Sequence, residues 1–382
     1  MKYRQFGKLD WKVSALGFGA MRLPVIDNEQ SKIDEPEAIK MIRHAIDNGV
    51  NYVDTAYGYH GGNSERLVGK ALKEGYREKI RLATKLPPFA VRTADDFDRI
   101  LNEQLEKLQT DHIDFYLLHG MNHTGWPKLR DLGVRKWAEG AKADGRIRYL
   151  GFSFHDTLDV FKGIIDDYDQ WTFCQIQYNF MDIEHQAGTE GLKYAAGKGL
   201  GVVIMEPLRG GALAKEAPEG AARVYKSSPI QRSQAEWALQ WVWNQPEVSV
   251  ALSGMSTMTH VIENLASGDR SGVGKLTEDE LKVIDRVREE YNKSCPIPCT
   301  GCQYCMPCPN EVDIPRIFSI YNEGYMYGDH RRARFFYRQL PPETQADKCV
   351  ECGECMEKCP QDFDIPESLK QVHGWLGPKP KA

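Results

Sequence analysis

The stretch that runs from Arg81-Leu82-Ala83-Thr84 to Ile113-Asp114-Phe115-Tyr116-Leu117-Leu118 reads as strand, helix, strand. Between the two apolar runs, residues 95–108 place Phe97, Ile100, Leu101, Leu105 and Leu108 on one side of a helix. The same alternation continues in both directions. Upstream lie a helical stripe over 37–48 closed by Gly49, a strand at Tyr52-Val53 and a helix over 65–73. Downstream, helices over 134–143, 158–165, 188–198, 233–243 and 259–266 interleave with strands over 147–154, 173–178, 201–205 and 248–252. Ala15-Leu16-Gly17-Phe18-Gly19 supplies a first barrel strand, after a hairpin around Lys8-Leu9-Asp10. Eight strand and helix pairs favour a closed (β/α)8 barrel, a TIM barrel of the α/β class, over an open sheet. Periodicity by itself leaves a doubly wound sheet open. The Gly-x-Gly-x-x-Gly turn that marks dinucleotide binding in that fold does not follow an early strand.

The chain has 382 residues, and a barrel takes about 250, which leaves room for a second small domain. Hydrophobic residues make up 41%, ample for a core, and the net charge of −5 comes from well-mixed signs. Neither nucleic acid nor a membrane surface is therefore an expected partner. No apolar run reaches the length of a spanning helix, and the start lacks the apolar stretch of a signal peptide, so a cytoplasmic protein is expected. Cysteine usage is uneven, with Cys174 alone in the long N-terminal part and the other nine after residue 294. The composition thus divides the chain into a barrel over 1–290, a small, mainly helical domain over 291–376 and a disordered tail over 377–382. A helix over 279–291, capped by Thr277, leads toward the cysteines.

Those cysteines form two runs, Cys299-Thr-Gly-Cys302-Gln-Tyr-Cys305-Met-Pro-Cys308-Pro309 and Cys349-Val-Glu-Cys352-Gly-Glu-Cys355-Met-Glu-Lys-Cys359-Pro360. Closely spaced thiolates ending in Cys-Pro resemble the bacterial ferredoxin pattern, in which the fourth cysteine of each run crosses to the other cluster. The second run fits that pattern. The first has two residues rather than three between Cys305 and Cys308, and Cys295 upstream is an alternative ligand. A disulfide scaffold suits a secreted chain, and structural zinc usually takes two separated pairs, so both are disfavoured. The spacer over 315–338 reads as helical, rich in aromatic and basic residues, and the module resembles the helical ferredoxin modules of succinate dehydrogenase iron–sulfur subunits. That resemblance implies two [4Fe-4S] clusters, one on Cys299, Cys302, Cys305 and Cys359, the other on Cys349, Cys352, Cys355 and Cys308.

In a barrel, chemistry sits where strands end. Asp54 and Tyr59 follow the second strand, Lys85 ends the third and His119 ends the fourth. Singly, Asp54 could cap a helix, Lys85 could be a surface charge and His119 a core histidine; four such groups at one rim are hard to explain by packing. A cation beside a phenol would lower its pKa toward neutrality, Asp54 would hold the Lys85 ammonium, and His119 would orient a carbonyl or share the proton. The contexts Val53-Asp54-Thr55-Ala56-Tyr57-Gly58-Tyr59, Ala83-Thr84-Lys85 and Asp114-Phe115-Tyr116-Leu117-Leu118-His119 resemble the aldo-keto reductases over about residues 1–290. Tyr57 is the local rival to Tyr59, and the family's position is the latter.

The resemblance implies a nicotinamide dinucleotide, NAD(P)H, across the barrel mouth. Ser153 and Gln175 match positions that hold the carboxamide, Met205 stands where an aromatic usually stacks on the nicotinamide, and Asn264 matches one that reaches the adenine. Gly254 stands where a basic residue usually meets the 2′-phosphate, and His260 where an arginine is common. Both parts together point to an oxidoreductase that interconverts a small-molecule carbonyl and an alcohol, with clusters that exchange electrons with a redox partner protein. A nicotinamide moves two electrons as hydride and a cluster moves one, which leaves three alternatives: a flavin bound without a signature, a substrate that accepts single electrons, or clusters that take no part in turnover. The other reading is an electron-transfer or docking subunit with the barrel as scaffold, in which Arg331, Arg332, Arg334 and Lys348 would face an acidic partner.

Overall fold

The computed structural model describes residues 1–326 and 330–378. Two short strands, β1 (Tyr3–Gln5) and β2 (Lys12–Ser14), pair antiparallel in the expected hairpin, with Tyr3 opposite Ser14. The barrel strands and their helices then follow in order: β3 (Leu16–Gly19), α1 (Glu35–Asp47), β4 (Tyr52–Asp54), α2 (Ser64–Ala71), β5 (Arg81–Leu86), α3 (Asp95–Leu108) and β6 (Ile113–Met121). Next come α4 (Gly125–Asp131), α5 (Val134–Ala143), β7 (Ile147–Phe154), α6 (Leu158–Asp167), β8 (Phe173–Gln177), α7 (Gly188–Gly197) and β9 (Gly201–Met205). After them lie α8 (Glu219–Ser227), α9 (Gln234–Asn244), β10 (Val250–Ser253) and α10 (Met258–Asp269). Strands β3 to β10 close a parallel barrel in which β10 pairs with both β3 and β9, the (β/α)8 fold.

The chain forms two compact units, one of Met1–Pro207 with Ala238–Leu276, the other of Leu208–Trp237 with Thr277–Ala382. In the first, the apolar stripe of α3 buries Phe97, Ile100, Leu101 and Leu108. Removing such side chains from water is worth about 1.5–3 kcal/mol apiece. The hairpin sends Phe6 into the strand-start end of the barrel, where its ring lies 4.7 Å from that of Phe115, 5.9 Å from Phe173 and 6.2 Å from Tyr52. Gly201 has to be glycine beneath it, because a Cβ there would stand 2.4 Å from the ring.

In the second unit, α11 (Glu278–Ser294) starts on a complete capping box between Thr277 and Glu280 and packs against α8. Beyond it lie α12 (Ile314–Met326), α13 (His330–Arg338), α14 (Glu354–Lys358) and α15 (Ile365–Leu376). The helical spacer thus comprises α12 and α13, and the join between them lies outside the described residues. The tail expected over 377–382 also lies outside them from residue 379 on. Ile317, Phe318, Tyr337, Leu369 and Val372 form the core of this unit, with Cys305 and Cys355 in it.

Two stretches that lack apolar periodicity, 120–130 and 209–231, read as long loops and turn out to carry α4 and α8. Trp126 is buried at 4% exposure, its Nε1 donates to Asp167 at 2.9 Å and its ring meets Trp171 at 5.3 Å. Tyr225 is buried against Trp237. Both aromatics are packing residues, which is why the stretches are ordered.

Candidate active site

Six of the barrel strands carry a polar or sulfur-bearing side chain of interest. Asp54 and Met205 are the last residues of β4 and β9, Lys85 and Ser153 the next to last of β5 and β7, His119 lies two residues before the end of β6, and Gln175 is at the middle of β8. Tyr59 stands on the turn after β4, whose shape depends on left-handed φ at His60 (54°) and Gly61 (64°).

Lys85 is fully buried, and its Nζ donates to Asp54 Oδ1 at 2.7 Å, to Thr55 O at 2.8 Å and to Tyr59 Oη at 3.4 Å. The His119 ring meets the Tyr59 ring edge-on at 6.1 Å. Asp54, Tyr59, Lys85 and His119 are therefore gathered at one point on the rim. Tyr57 turns elsewhere, donating to Glu103 Oε2 at 3.0 Å with Lys107 above its ring.

Burial lowers the Lys85 pKa and raises that of Asp54, and in each case the partner's charge opposes the shift. Tyr59 departs from the sequence-based expectation. Its pKa is raised well above the ordinary phenol value, first by burial and then by the charges of Asp54 and Glu206, with Arg22 opposing. Burial is the first cause, and Asp54, which sits 2.7 Å from the Lys85 ammonium, adds its own negative charge against the phenolate. His119, half-buried at the rim, is pushed down to about 3 by burial, with Lys85 and His155 adding. It is neutral at physiological pH.

The residues that the sequence associates with a dinucleotide lie on β7, β8, β9 and α10. Ser153 Oγ accepts from Gly120 N at 2.8 Å. Gln175 is buried, its Nε2 contacts Met205 Sδ at 3.5 Å, and its Oε1 is buried with no hydrogen-bond partner. Such an orphaned acceptor is what a carboxamide N–H would satisfy. Asn264 Nδ2 donates to Ser253 Oγ at 3.0 Å, and His260 lies in the first turn of α10. Arg22, which packs against Gly254, is marked by no motif. Only the contact across the barrel mouth shows it.

In the second unit eight of the cysteines fall into two sets. Cys305 lies within electrostatic reach of Cys299, Cys302 and Cys359, and Cys359 of Cys299 and Cys302. Cys355 lies within reach of Cys349, Cys352 and Cys308, and these four line one small cavity with Val312, Ile314 and Leu369. Each set takes three cysteines from one run and one from the other. Among the described residues no three His, Cys, Asp or Glu side chains converge on a single metal ion. Thiolates of an iron–sulfur cluster bind separate irons and need not converge. Cys295 is half-buried at the end of α11, with Arg209 and not another thiol as its charged neighbour. Of the basic residues near the cysteines, Arg334 donates to Trp375 O at 2.9 Å and Lys348 pairs with Asp347 at 3.0 Å, while Arg331 is exposed and Arg332 lies over Phe336.

The chain belongs to the aldo/keto reductase family, whose model matches residues 15–289, and residues 298–363 match a 4Fe-4S dicluster domain. It is an oxidoreductase. L-galactose dehydrogenase of Arabidopsis thaliana is 27% identical over 76% of this chain and 95% of its own. Among solved structures, the holo form of aldo-keto reductase AKR11C1 from Bacillus halodurans is 29% identical with a TM-score of 0.62, covering 75% of this chain and 96% of its own. An aldo/keto reductase from Klebsiella pneumoniae, in complex with NADP and acetate, is 26% identical with a TM-score of 0.60, over 75% of this chain and 95% of its own. No helix among the described residues is long and apolar enough to cross a membrane.

Proposed function

We propose that the barrel interconverts a small carbonyl compound and its alcohol at Asp54, Tyr59, Lys85 and His119, and that the eight cysteines hold two [4Fe-4S] clusters that exchange electrons with a redox partner. The observation that carries the catalytic part is the buried Lys85 ammonium shared between Asp54 and the Tyr59 phenol. Ser153, Gln175 and Met205 would hold a nicotinamide dinucleotide, as the Klebsiella neighbour in complex with NADP suggests, with Gln175 Oε1 accepting a hydrogen bond from the carboxamide N–H. That group, when bound, supplies or accepts the hydride.

The protein's own residues manage the proton. Tyr59 stays protonated at neutral pH and donates its proton to the carbonyl oxygen as the alcohol forms. The phenolate charge then develops 3.4 Å from Lys85, so the ammonium acts on the product of the proton transfer more than on the resting phenol. Asp54 keeps that ammonium protonated against burial. His119, neutral, orients the carbonyl oxygen by a hydrogen bond and does not act as an imidazolium acid. The test is turnover of an aldehyde panel by Tyr59→Phe. A loss of about 100-fold or more is expected for a removed general acid, and unchanged turnover would sink the assignment.

A further inference from the structure

Behind the strand that carries Lys85 lies a second buried carboxylate. Successive residues of a strand point to opposite faces, so Lys85 reaches Asp54 inside the barrel while Thr84 turns toward the helices. There Thr84 Oγ1 donates to Oε1 of Glu65, on α2, at 2.6 Å. Gln104, on α3, donates from Nε2 to the same oxygen at 2.7 Å and to Lys85 O at 3.0 Å. Glu65, Thr84 and Gln104 are all fully buried.

The hydrogens of this network are fixed by its geometry. Tyr116 Oη donates to Gln104 Oε1 at 2.7 Å, which turns the amide NH2 toward Glu65 and Lys85. Thr84 Oγ1 accepts from Gln104 Nε2 at 3.3 Å, so its own hydrogen goes to Glu65. Glu65 Oε1 therefore accepts twice, and Oε2 faces the Lys107 ammonium at 3.8 Å. Every group that reaches the carboxyl brings a hydrogen of its own, which is a setting for the ionised form. Burial raises the Glu65 pKa, with Thr84, Gln104 and Lys107 opposing and Glu103 adding. Lys107 is shared with Glu103 at 2.6 Å, and Tyr57 and Tyr116 are the other titratable groups that feel the Glu65 charge.

Lys85 thus stands between two carboxylates. Burial lowers its pKa, and Asp54 and then Glu65 oppose the shift. Tyr59 and His119 are the remaining titratable groups at its head.

We propose that Glu65 is a positioning residue of the catalytic centre, which holds the Lys85 backbone through Gln104 and whose carboxylate, acting across the strand, keeps the Lys85 side chain cationic. The inference rests on the carbonyl-reducing reading for its rate arm alone, since the coupling of Glu65 to Lys85 can be read in unfolding.

The experiment compares the full-length protein with Glu65→Gln and Glu65→Asp in the pH dependence of kcat for benzaldehyde at saturating NADPH. Turnover should fall at alkaline pH as Lys85 loses its proton, because a neutral amine no longer stabilises the phenolate. Glu65→Gln should move that limb down by about one pH unit, the scale of a single charge removed from beyond hydrogen-bond distance at an effective dielectric of about 20. Glu65→Asp keeps the charge and should leave the limb in place even where its melting temperature falls. Thr84→Val, nearly isosteric, should shift the limb the same way by less, and it stands in if Glu65→Gln does not fold. Urea midpoints of Glu65→Gln, Lys85→Met and the double variant supply the second readout, and the double variant should lose less than the sum of the single losses. A limb that stays put in Glu65→Gln and Thr84→Val, one that moves equally in Glu65→Asp, or additive midpoints overturn the proposal. A protein that reduces no aldehyde sinks the catalytic reading, and the midpoints then decide the coupling of Glu65 to Lys85 by themselves.

Discussion

Replacing Lys85 with methionine keeps much of the side-chain volume and removes a buried charge. The ammonium makes close bonds to Asp54 Oδ1 at 2.7 Å and Thr55 O at 2.8 Å, and Asp54 Oδ2 is already buried without a hydrogen-bond partner. Lys85→Met therefore leaves a carboxylate in the barrel with neither counter-ion nor donor. Breaking one side of such a pair costs about 3–5 kcal/mol, whereas removing both sides costs far less. Burial raises the Asp54 pKa and Lys85 holds it down, so the variant should carry it higher still. A carboxyl whose folded pKa lies above its unfolded value of about 4 binds its proton more tightly when folded, and stability falls as pH rises through that interval. The deficit of Lys85→Met should thus be largest at pH 8 and shrink toward pH 5. Urea unfolding of Lys85→Met, Asp54→Asn and the double variant, followed by tryptophan fluorescence, measures this. A double variant that loses the sum of the two single losses, or a deficit that does not change with pH, would refute the reasoning.

Other outcomes follow from single residues. His119, at about 3 when folded and about 6.5 when unfolded, binds fewer protons in the folded state, so it contributes stability above pH 6.5 that is lost as pH falls toward 3. Acid unfolding of His119→Asn should be shallower over that interval, and an unaltered acid limb would count against it. Gln175→Met should leave the melting temperature level or higher, because it removes an orphaned buried acceptor, while weakening dinucleotide binding by roughly tenfold in a calorimetric titration. Anaerobically reconstituted Cys359→Ala should fall from about eight irons per chain toward about four, since Cys359 sits with Cys299, Cys302 and Cys305. An iron content that does not change would refute the grouping.

The sequence showed most where the chemistry is local. The stripe on α3 and the apolar runs at β5 and β6 have the right periods, and the strand ends place Asp54, Lys85 and His119 on the rim without further information. It failed where a residue answers to something distant. Nothing near Trp126 marks 125–131 as a helix, because its partners, Asp167 and Trp171, come from α6 and beyond. Arg22 reads as an ordinary loop cation until Gly254 is beneath it. Spacing suggests that Lys85 lowers the Tyr59 phenol, whereas the burial that raises it, with the charges of Asp54 and Glu206 behind, depends on packing and distances that spacing does not supply.

Phe6, at the strand-start end, has a bearing on how protons reach the centre of the barrel. Its ring and those of Tyr52, Phe115 and Phe173 stopper the barrel at the strand-start end. Exchange of the Lys85 and Asp54 protons with solvent then runs past Tyr59 and His119, so a ligand seated over the mouth acts as a valve on that traffic. Solvent isotope would enter the phenol before binding and be trapped after it.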